Sequence, residues 1–289
     1  MESTIQIKNG KYTFIIKETM YDRDGLLLYT TIKMGGDYAD CVNVSIVYKD
    51  NKPVYAKMPH VMYDEECAYN EHSNTKIILQ KGNGSKIMMQ TIIAYIKQKY
   101  PLITEIRYDD MSSIECATET ETKSAITRKR GSNIKPMPLY YLSIAYNGQT
   151  WYEKYFNARM QDIDKHTKYR ERVNLLLSSK PVDYNEFIRI SYVPKQLWTE
   201  LFEYYKTAET YSNFFHAIPK QDRCRLLLPW IDAFMRHHLN RVFSNNDWVI
   251  PLTVSGGKRK TQRKRGYMPI GIKLNSGYSN NMGITMDDL

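Results

Sequence analysis

Two glycines lie where a short apolar run meets the start of a helix-compatible segment, within residues 77–89. Gly82 and Gly84 allow a backbone to approach a ligand closely, and the N–H groups at the start of a helix point at an anion. Ser85 is placed to cap that helix, and Lys86 adds positive charge. The pattern predicts a phosphate-binding turn. The same residues also suit a plain strand-to-helix turn, in which the glycines only satisfy backbone dihedral angles.

The segments on either side of these glycines predict a β-α-β crossover. Residues 76–80 are typical of a strand, and residues 103–108 of a second one. A helix is expected over 85–99, where one face collects four apolar side chains, and Pro101 ends it. These four are Met88, Ile92, Tyr95 and Ile96. A strand, a helix and a strand within about 30 residues fit a right-handed crossover between parallel strands.

The chain before this unit is mainly strand-like, over residues 11–65. Apolar side chains alternate along 41–48, as they do in a strand with one buried face. Residues 49–53 carry turn residues, and 54–58 return as a paired strand. The sequence therefore predicts a hairpin that precedes the crossover.

With these elements in order, the chain resembles the Gcn5-related N-acetyltransferase (GNAT) superfamily, in the form found in uncharacterised proteins of large (giant) double-stranded DNA viruses. The pyrophosphate-binding turn of that family reads Gln/Arg-x-x-Gly-x-Gly/Ala at the start of a helix. Here both glycines match, whereas the first position is Leu79, with Gln80 one place later. The resemblance covers about residues 40–160 and implies an α+β fold, an acetyltransferase-like mixed sheet with flanking helices, and acetyl-CoA as the cofactor. The residues that it implies for acyl-CoA binding are Leu79, Gln80, Lys81, Gly82, Asn83, Gly84, Ser85 and Lys86.

Acetyl transfer to an amine needs a route for the amine proton, a donor that polarises the thioester carbonyl and an acid for the thiolate. The resemblance implies Tyr152 as that acid, since segment 151–156 is similar to the family's tyrosine-bearing helix, although it lacks a glycine. Glu105, Asp109 and Asp110 are candidates for the base or for attracting a cationic amine. The implied function is an acyl-CoA-binding protein that acts as an N-acetyltransferase. Tyr152 also suits aromatic packing, and Asp109–Asp110 a solvated turn.

After residue 160 the pattern becomes helical, with helices expected over 160–177, 194–216 and 220–243. Six aromatic side chains between 198 and 215 suit a core or a helix–helix interface better than a stacking platform for nucleic acid. They are Trp198, Tyr204, Tyr205, Tyr211, Phe214 and Phe215. We expect an acetyltransferase-like α+β domain over 1–160, a helical domain over 161–254 and a disordered basic tail over 255–289.

The positive charge is concentrated in that tail. Six cations lie within eight residues, and without them the formal net charge falls from +10 to +4. They are Lys258, Arg259, Lys260, Arg263, Lys264 and Arg265. Such a cluster attracts phosphate without sequence specificity, so a nucleic acid is one expected partner, and a solubility or targeting role is the other. The rival to the acyltransferase hypothesis is a non-enzymatic viral structural or nucleic-acid-associated protein.

The four cysteines are far apart and form no Cys-x-x-Cys pair. With no basic-then-apolar leader and no apolar run long enough for a membrane span, the sequence predicts an intracellular protein, in a host cytoplasm or a virion, with reduced, buried thiols. Cys116 is expected to be such a thiol. Cys224 and His238 lie about 21 Å apart on a continuous helix, so we expect no metal site there.

Overall fold

A computed structural model of the chain describes residues 2–37, 39–62, 64–69, 77–80, 83–109, 113–114, 137–239, 248–252 and 283–284. The chain forms two compact units. The first comprises Met1–Asp109 together with Val249–Leu289, and the second comprises Asp110–Trp248. The sequence had predicted boundaries near residues 160 and 254, whereas the compact units change at 109/110 and 248/249.

The first unit, called the sheet unit below, is built on a mixed sheet. Its first five strands form an antiparallel meander: β1 (Glu2–Asn9), β2 (Tyr12–Arg23), β3 (Leu26–Gly35), β4 (Asp40–Lys49) and β5 (Lys52–Val61). Each strand pairs with the next in antiparallel register. The predicted hairpin over 41–58 is confirmed as β4 and β5. The prediction of an α+β fold with a mixed sheet is likewise confirmed.

The turn residues of the two long hairpins explain why two-residue loops can join their strands. Asp24 and Gly25 join β2 to β3, and Asp50 and Asn51 join β4 to β5, all four with positive φ. Two-residue hairpin loops need this conformation, and Asp, Asn and Gly adopt it at the lowest cost. The Asn51 side chain also accepts a hydrogen bond from the Leu27 backbone N–H at 2.8 Å, which links the two hairpins.

A helix then carries the chain to a parallel strand. Helix α1 (Gly84–Lys99) connects β5 to β6 (Glu105–Tyr108), and β6 pairs with β5 in parallel register. The predicted helix, its end before Pro101 and the crossover are therefore present. The first strand of the crossover is β5, however, since residues 77–80 form no strand. Leu79 is buried, and its N–H donates to the Glu65 carbonyl at 3.3 Å instead of to a neighbouring strand.

One face of the sheet packs against α1. Side chains alternate along β2, so that Phe14, Ile16 and Glu18 point to the buried face. Helix α1 supplies its predicted apolar face to the same core, with Met88, Ile92, Tyr95 and Ile96 all buried. Three more elements complete the described secondary structure of this unit. The 3-10 helix Glu65–Cys67 follows β5, the strand β10 (Trp248–Pro251) lies beside β6, and β11 (Gly283–Ile284) pairs in parallel with β1.

The expectation of reduced thiols is wrong for three of the cysteines. Cys41 and Cys67 form a disulfide with their Cα atoms 5.8 Å apart, and Cys224 is disulfide-bonded as well. Antiparallel pairing of Val42 with Val61 brings the start of β4 beside the end of β5, and the short helix that follows delivers Cys67. Sequence separation of 26 residues concealed this proximity. Cys116 lies outside the described residues.

The second unit, called the helical unit below, contains short helices. They are α2 (Leu139–Asn147), α3 (Trp151–Phe156), α4 (Ile163–Ser178), α5 (Tyr184–Ile190), α6 (Trp198–Tyr205), α7 (Tyr211–Ala217), α8 (Arg223–Leu227) and α9 (Ile231–Leu239). Two 3-10 helices, Lys195–Leu197 and Lys220–Asp222, precede α6 and α8. The short strands β7 (Ser113–Ile114), β8 (Met137–Pro138) and β9 (Arg159–Met160) accompany them.

Two of the predicted long helices are broken. The segment 194–216 divides into α6 and α7, because Thr210 caps a new helix by accepting a hydrogen bond from the Asn213 N–H at 3.1 Å. The segment 220–243 likewise divides into α8 and α9. Its residues 240–243 lie outside the described part.

Aromatic side chains fill the centre of the helical unit. Phe187 packs edge-on against Trp230 with ring centroids 5.1 Å apart, and Trp230 packs perpendicular to Phe234 at 5.8 Å. Tyr205, Tyr211, Phe214 and Phe215 are buried beside them. The interpretation of the aromatic stripe as a core is confirmed for these four, and they are not accessible as a stacking platform.

Candidate ligand site at the carboxyl edge of β5 and β6

The start of α1 and the ends of β5 and β6 meet at one edge of the sheet. Parallel strands place their carboxyl ends at the same edge, and a crossover helix begins at the edge where its preceding strand ends. Val61, Gly84 and Tyr108 therefore lie along one rim of the sheet unit. Ligands of open parallel sheets bind outside such carboxyl ends.

β5 extends further than β6 at this rim. The registered pairs of the two strands are Ala56 with Ile106 and Lys57 with Arg107, and β6 ends at Tyr108. β5 continues to Val61 and remains paired there with β4. In the described residues, the last four positions of β5 thus have no registered partner in β6.

The start of α1 differs in part from the predicted cradle. Asn83 precedes the helix with φ of −106° and makes no side-chain capping bond, and Ser85 lies inside the helix rather than capping it. The Gly84 N–H donates to the Gln80 carbonyl at 2.8 Å, so the chain closes a turn just before the helix. Ser85 and Lys86 lie in the first turn of α1, at the positive end of the helix dipole. Lys81 and Gly82 lie outside the described residues.

The two described acidic candidates lie at opposite ends of β6. Asp109 follows the strand at the carboxyl rim and is exposed. Glu105 begins the strand, about 13 Å away at the rise of an extended chain, and it accepts a hydrogen bond from Arg107 at 2.8 Å. Asp109 is thus the one of the pair that shares the rim with α1, while Asp110 lies outside the described residues.

Tyr152 belongs to the helical unit. It lies in α3, whose N-terminus is capped by Thr150, since the Thr150 hydroxyl accepts a hydrogen bond from the Glu153 N–H at 3.2 Å. Tyr152 is 7% exposed and packs edge-on against Trp151 with ring centroids 5.0 Å apart. Its surroundings are those of a packing residue, and its role as an acid remains a prediction.

A buried polar cluster in the sheet unit was not predicted. The Glu18 carboxylate is 2% exposed and accepts hydrogen bonds from the Tyr95 hydroxyl at 2.8 Å, the Tyr100 hydroxyl at 2.9 Å and the Lys99 ammonium. Burial and the neighbouring carboxylate raise the pKa of both tyrosines well above the usual range. Two features of the sequence could have indicated this cluster. Glu18 stands at an apolar position of β2, and Tyr95 and Lys99 lie four residues apart on α1.

Other predicted features fall outside what the structure describes. The basic cluster from Lys258 to Arg265 lies in the undescribed part of the chain. Over the described residues, no helix has the length and apolar character that crossing a membrane requires. No group of three or more metal-ligating side chains occurs among those residues either.

Comparison with known proteins does not add to this geometry. No protein-family model, curated protein or solved structure matches the chain. The resemblance to N-acetyltransferases therefore rests on the sequence motif and stays a prediction.

Proposed function

We propose that the sheet unit binds acyl-CoA at the carboxyl rim of β5 and β6 and serves as an N-acetyltransferase-type domain. The observation that carries the proposal is the parallel β5–α1–β6 crossover, in which β5 continues past its registered pairs with β6 at the edge where α1 begins. A long, thin ligand with an anionic end would lie along the end of β5 and reach the N-terminus of the helix.

The residues at the rim suit the parts of such a ligand. The first-turn N–H groups of α1, with the Lys86 ammonium beside them, would hold the pyrophosphate. The last residues of β5, from Met58 to Val61, would bind the amide-bearing arm through their backbone, as an added strand does. Asp109 would attract a cationic amine or take its proton. Bound acyl-CoA supplies an activated thioester, and the acceptor in this proposal is an amine.

Titration calorimetry of the full chain with acetyl-CoA and with CoA tests the binding. We expect Lys86→Glu to weaken the affinity about tenfold or more, because it places an anion beside the pyrophosphate. Lys97→Glu is the matched control, since Lys97 is exposed in the last turn of the same helix and far from the rim. Absence of binding heat, or equal losses in the two variants, would refute the proposal.

A second variant separates binding from chemistry. If transfer to an amine occurs, Asp109→Asn should lower kcat while the affinity for acetyl-CoA stays nearly constant, because Asp109 would act on the acceptor. An unchanged kcat would remove Asp109 from the mechanism and leave the binding proposal intact.

A further inference from the structure

A row of aromatic side chains crosses the sheet on the face opposite α1. Tyr21 pairs directly with Tyr29, Tyr29 with Val47, and Val47 with Tyr55, so the row spans β2 to β5. Helix α1 covers the other face, since Tyr95 reaches Glu18 and side chains alternate along β2.

Part of this row is open to solvent. Tyr21 and Tyr29 are 42% and 39% exposed, and their rings stack with centroids 4.5 Å apart. The Arg107 guanidinium lies 4.2 Å from the centre of the Tyr55 ring, so the row continues to β6. Neighbouring strands lie about 4.8 Å apart, so Tyr29 and Tyr55 are separated by about 10 Å. A ligand chain that carries planar rings at regular intervals could stack these rings on the surface.

Cations face each other directly on the same side of the sheet. Lys17 pairs with Lys33, and Lys57 pairs with Arg107. Like charges at directly opposed positions destabilise a sheet. Asp40 offsets the first pair, with its carboxylate 3.1 Å from Lys33 and 3.9 Å from Lys17. Glu105 offsets part of the second pair, with its carboxylate 2.8 Å from Arg107. These four cations and two carboxylates keep a net charge of +2 beside the aromatic row, which favours an anionic partner.

We propose that this face binds a single-stranded nucleic acid. Unpaired bases would stack on Tyr21, Tyr29 and Tyr55, while Lys57 and Arg107 contact the phosphates. A neutral polysaccharide also stacks on tyrosine but would not neutralise the positive charge that Asp40 and Glu105 leave on the four opposed cations. A duplex would satisfy the cations but keeps its base faces covered. The combination of rings and cations therefore favours a single strand, and this inference is independent of acyl-CoA binding.

The test is fluorescence anisotropy with a labelled oligothymidylate across a series of salt concentrations. Because the cluster from Lys258 to Arg265 also attracts phosphate, the background is the full chain with those six cations replaced by glutamine. We expect this background to retain binding. Tyr29→Thr and Tyr55→Thr should each weaken it about fivefold or more, since stacking is lost while a β-compatible residue is kept.

Matched controls separate stacking and charge from general damage. Tyr192→Thr, at a tyrosine that is 79% exposed in the helical unit, should leave the affinity unchanged. Lys57→Gln should lower the slope of log affinity against log salt by about 0.7, whereas Lys97→Gln should not. Circular dichroism and thermal melting establish that each variant is folded.

Four outcomes would overturn the proposal. They are complete loss of binding in the tail-neutralised background, equal effects of Tyr29→Thr and Tyr192→Thr, equal affinity for a duplex of the same length, and tyrosine-dependent binding of a neutral oligosaccharide with none of oligothymidylate. The last result would assign the face to a carbohydrate instead.

Discussion

Among the described residues, each unit buries one carboxylate, and the two are held in different ways. The partners of Glu18 in the sheet unit come from 77, 81 and 82 residues along the chain. The partners of Glu153 in the helical unit come from 3, 16 and 17 residues away: the Thr150 N–H at 2.7 Å, the Tyr169 hydroxyl at 2.9 Å and Arg170 at 3.3 Å. Glu153 is part of a helix cap, whereas Glu18 joins a strand to a distant helix.

The difference shows two ways in which a fold can provide hydrogen-bond donors to a buried carboxylate. The hydrogen bonds of the Glu153 carboxylate require only the local turn and the next helix, because its donors belong to these two elements. The Glu18 carboxylate is satisfied only after β2 and α1 have docked, since all of its protein donors lie on α1 or just after it. Loss of Glu18 should therefore affect the whole sheet unit, and loss of Glu153 a local region.

The largest effect is expected for Glu18→Leu. It leaves two buried hydroxyls without their acceptor and Lys99 without its counter-charge, and it should cost about 3 kcal/mol of unfolding free energy. Urea unfolding followed by circular dichroism measures the loss, and hydrogen exchange should accelerate across β1 to β4 together. Glu18→Gln, which retains one acceptor, should lose less. A stable Glu18→Leu protein would show that the cluster contributes no net stability.

A smaller, local effect is expected for Glu153→Leu. The cap of α3 and the Tyr169 hydroxyl lose their acceptor, at a cost of about 2 kcal/mol. Faster hydrogen exchange should be confined to α3 and the first turns of α4. Glu203→Leu is the control, because that side chain is 58% exposed and pairs only with Lys206. Faster hydrogen exchange throughout the helical unit would contradict the prediction that loss of Glu153 acts locally.

The third effect concerns acid, which we expect to destabilise the helical unit. Burial lowers the pKa of His238 to about 4, with its ring 4.5 Å from that of Phe234. Because the folded pKa lies below the unfolded value near 6.5, this stability is full above pH 6.5 and is lost as the pH falls toward 4. His238→Phe should flatten the decline of melting temperature between these values, and an unchanged slope would exclude His238 as its source.

Local patterns predicted much of the fold. The β4–β5 hairpin follows from alternation and turn residues between 41 and 58, and α1 follows from its apolar face and Pro101. The breaks at Thr210 and before Ile231 were missed because the apolar stripe continues across them. The helix ends there depend on capping and packing rather than on periodicity.

The candidate site was predicted less well than the fold. Residues 76–80 have the composition of a strand, yet Leu79 is tied to Glu65, a contact that only the folded chain provides. Glu18 stands at a position of β2 that the alternation assigns to the buried face, but its donors lie far along the chain, so no local pattern identifies them. The Tyr21–Tyr55 row could not be found either, because it requires the registers of four strands at once.

The Cys41–Cys67 bond makes the two central strands of the sheet part of a covalent ring. A protease that cuts once at the exposed turn of Asp50 and Asn51 would open the backbone inside that ring. The two fragments would then remain one molecule, still held by the pairing of β4 with β5, and would migrate as separate bands only after reduction. We therefore expect the sheet unit to stay folded after a cut at this turn. The turn is thus a suitable position for an inserted label or a new chain terminus.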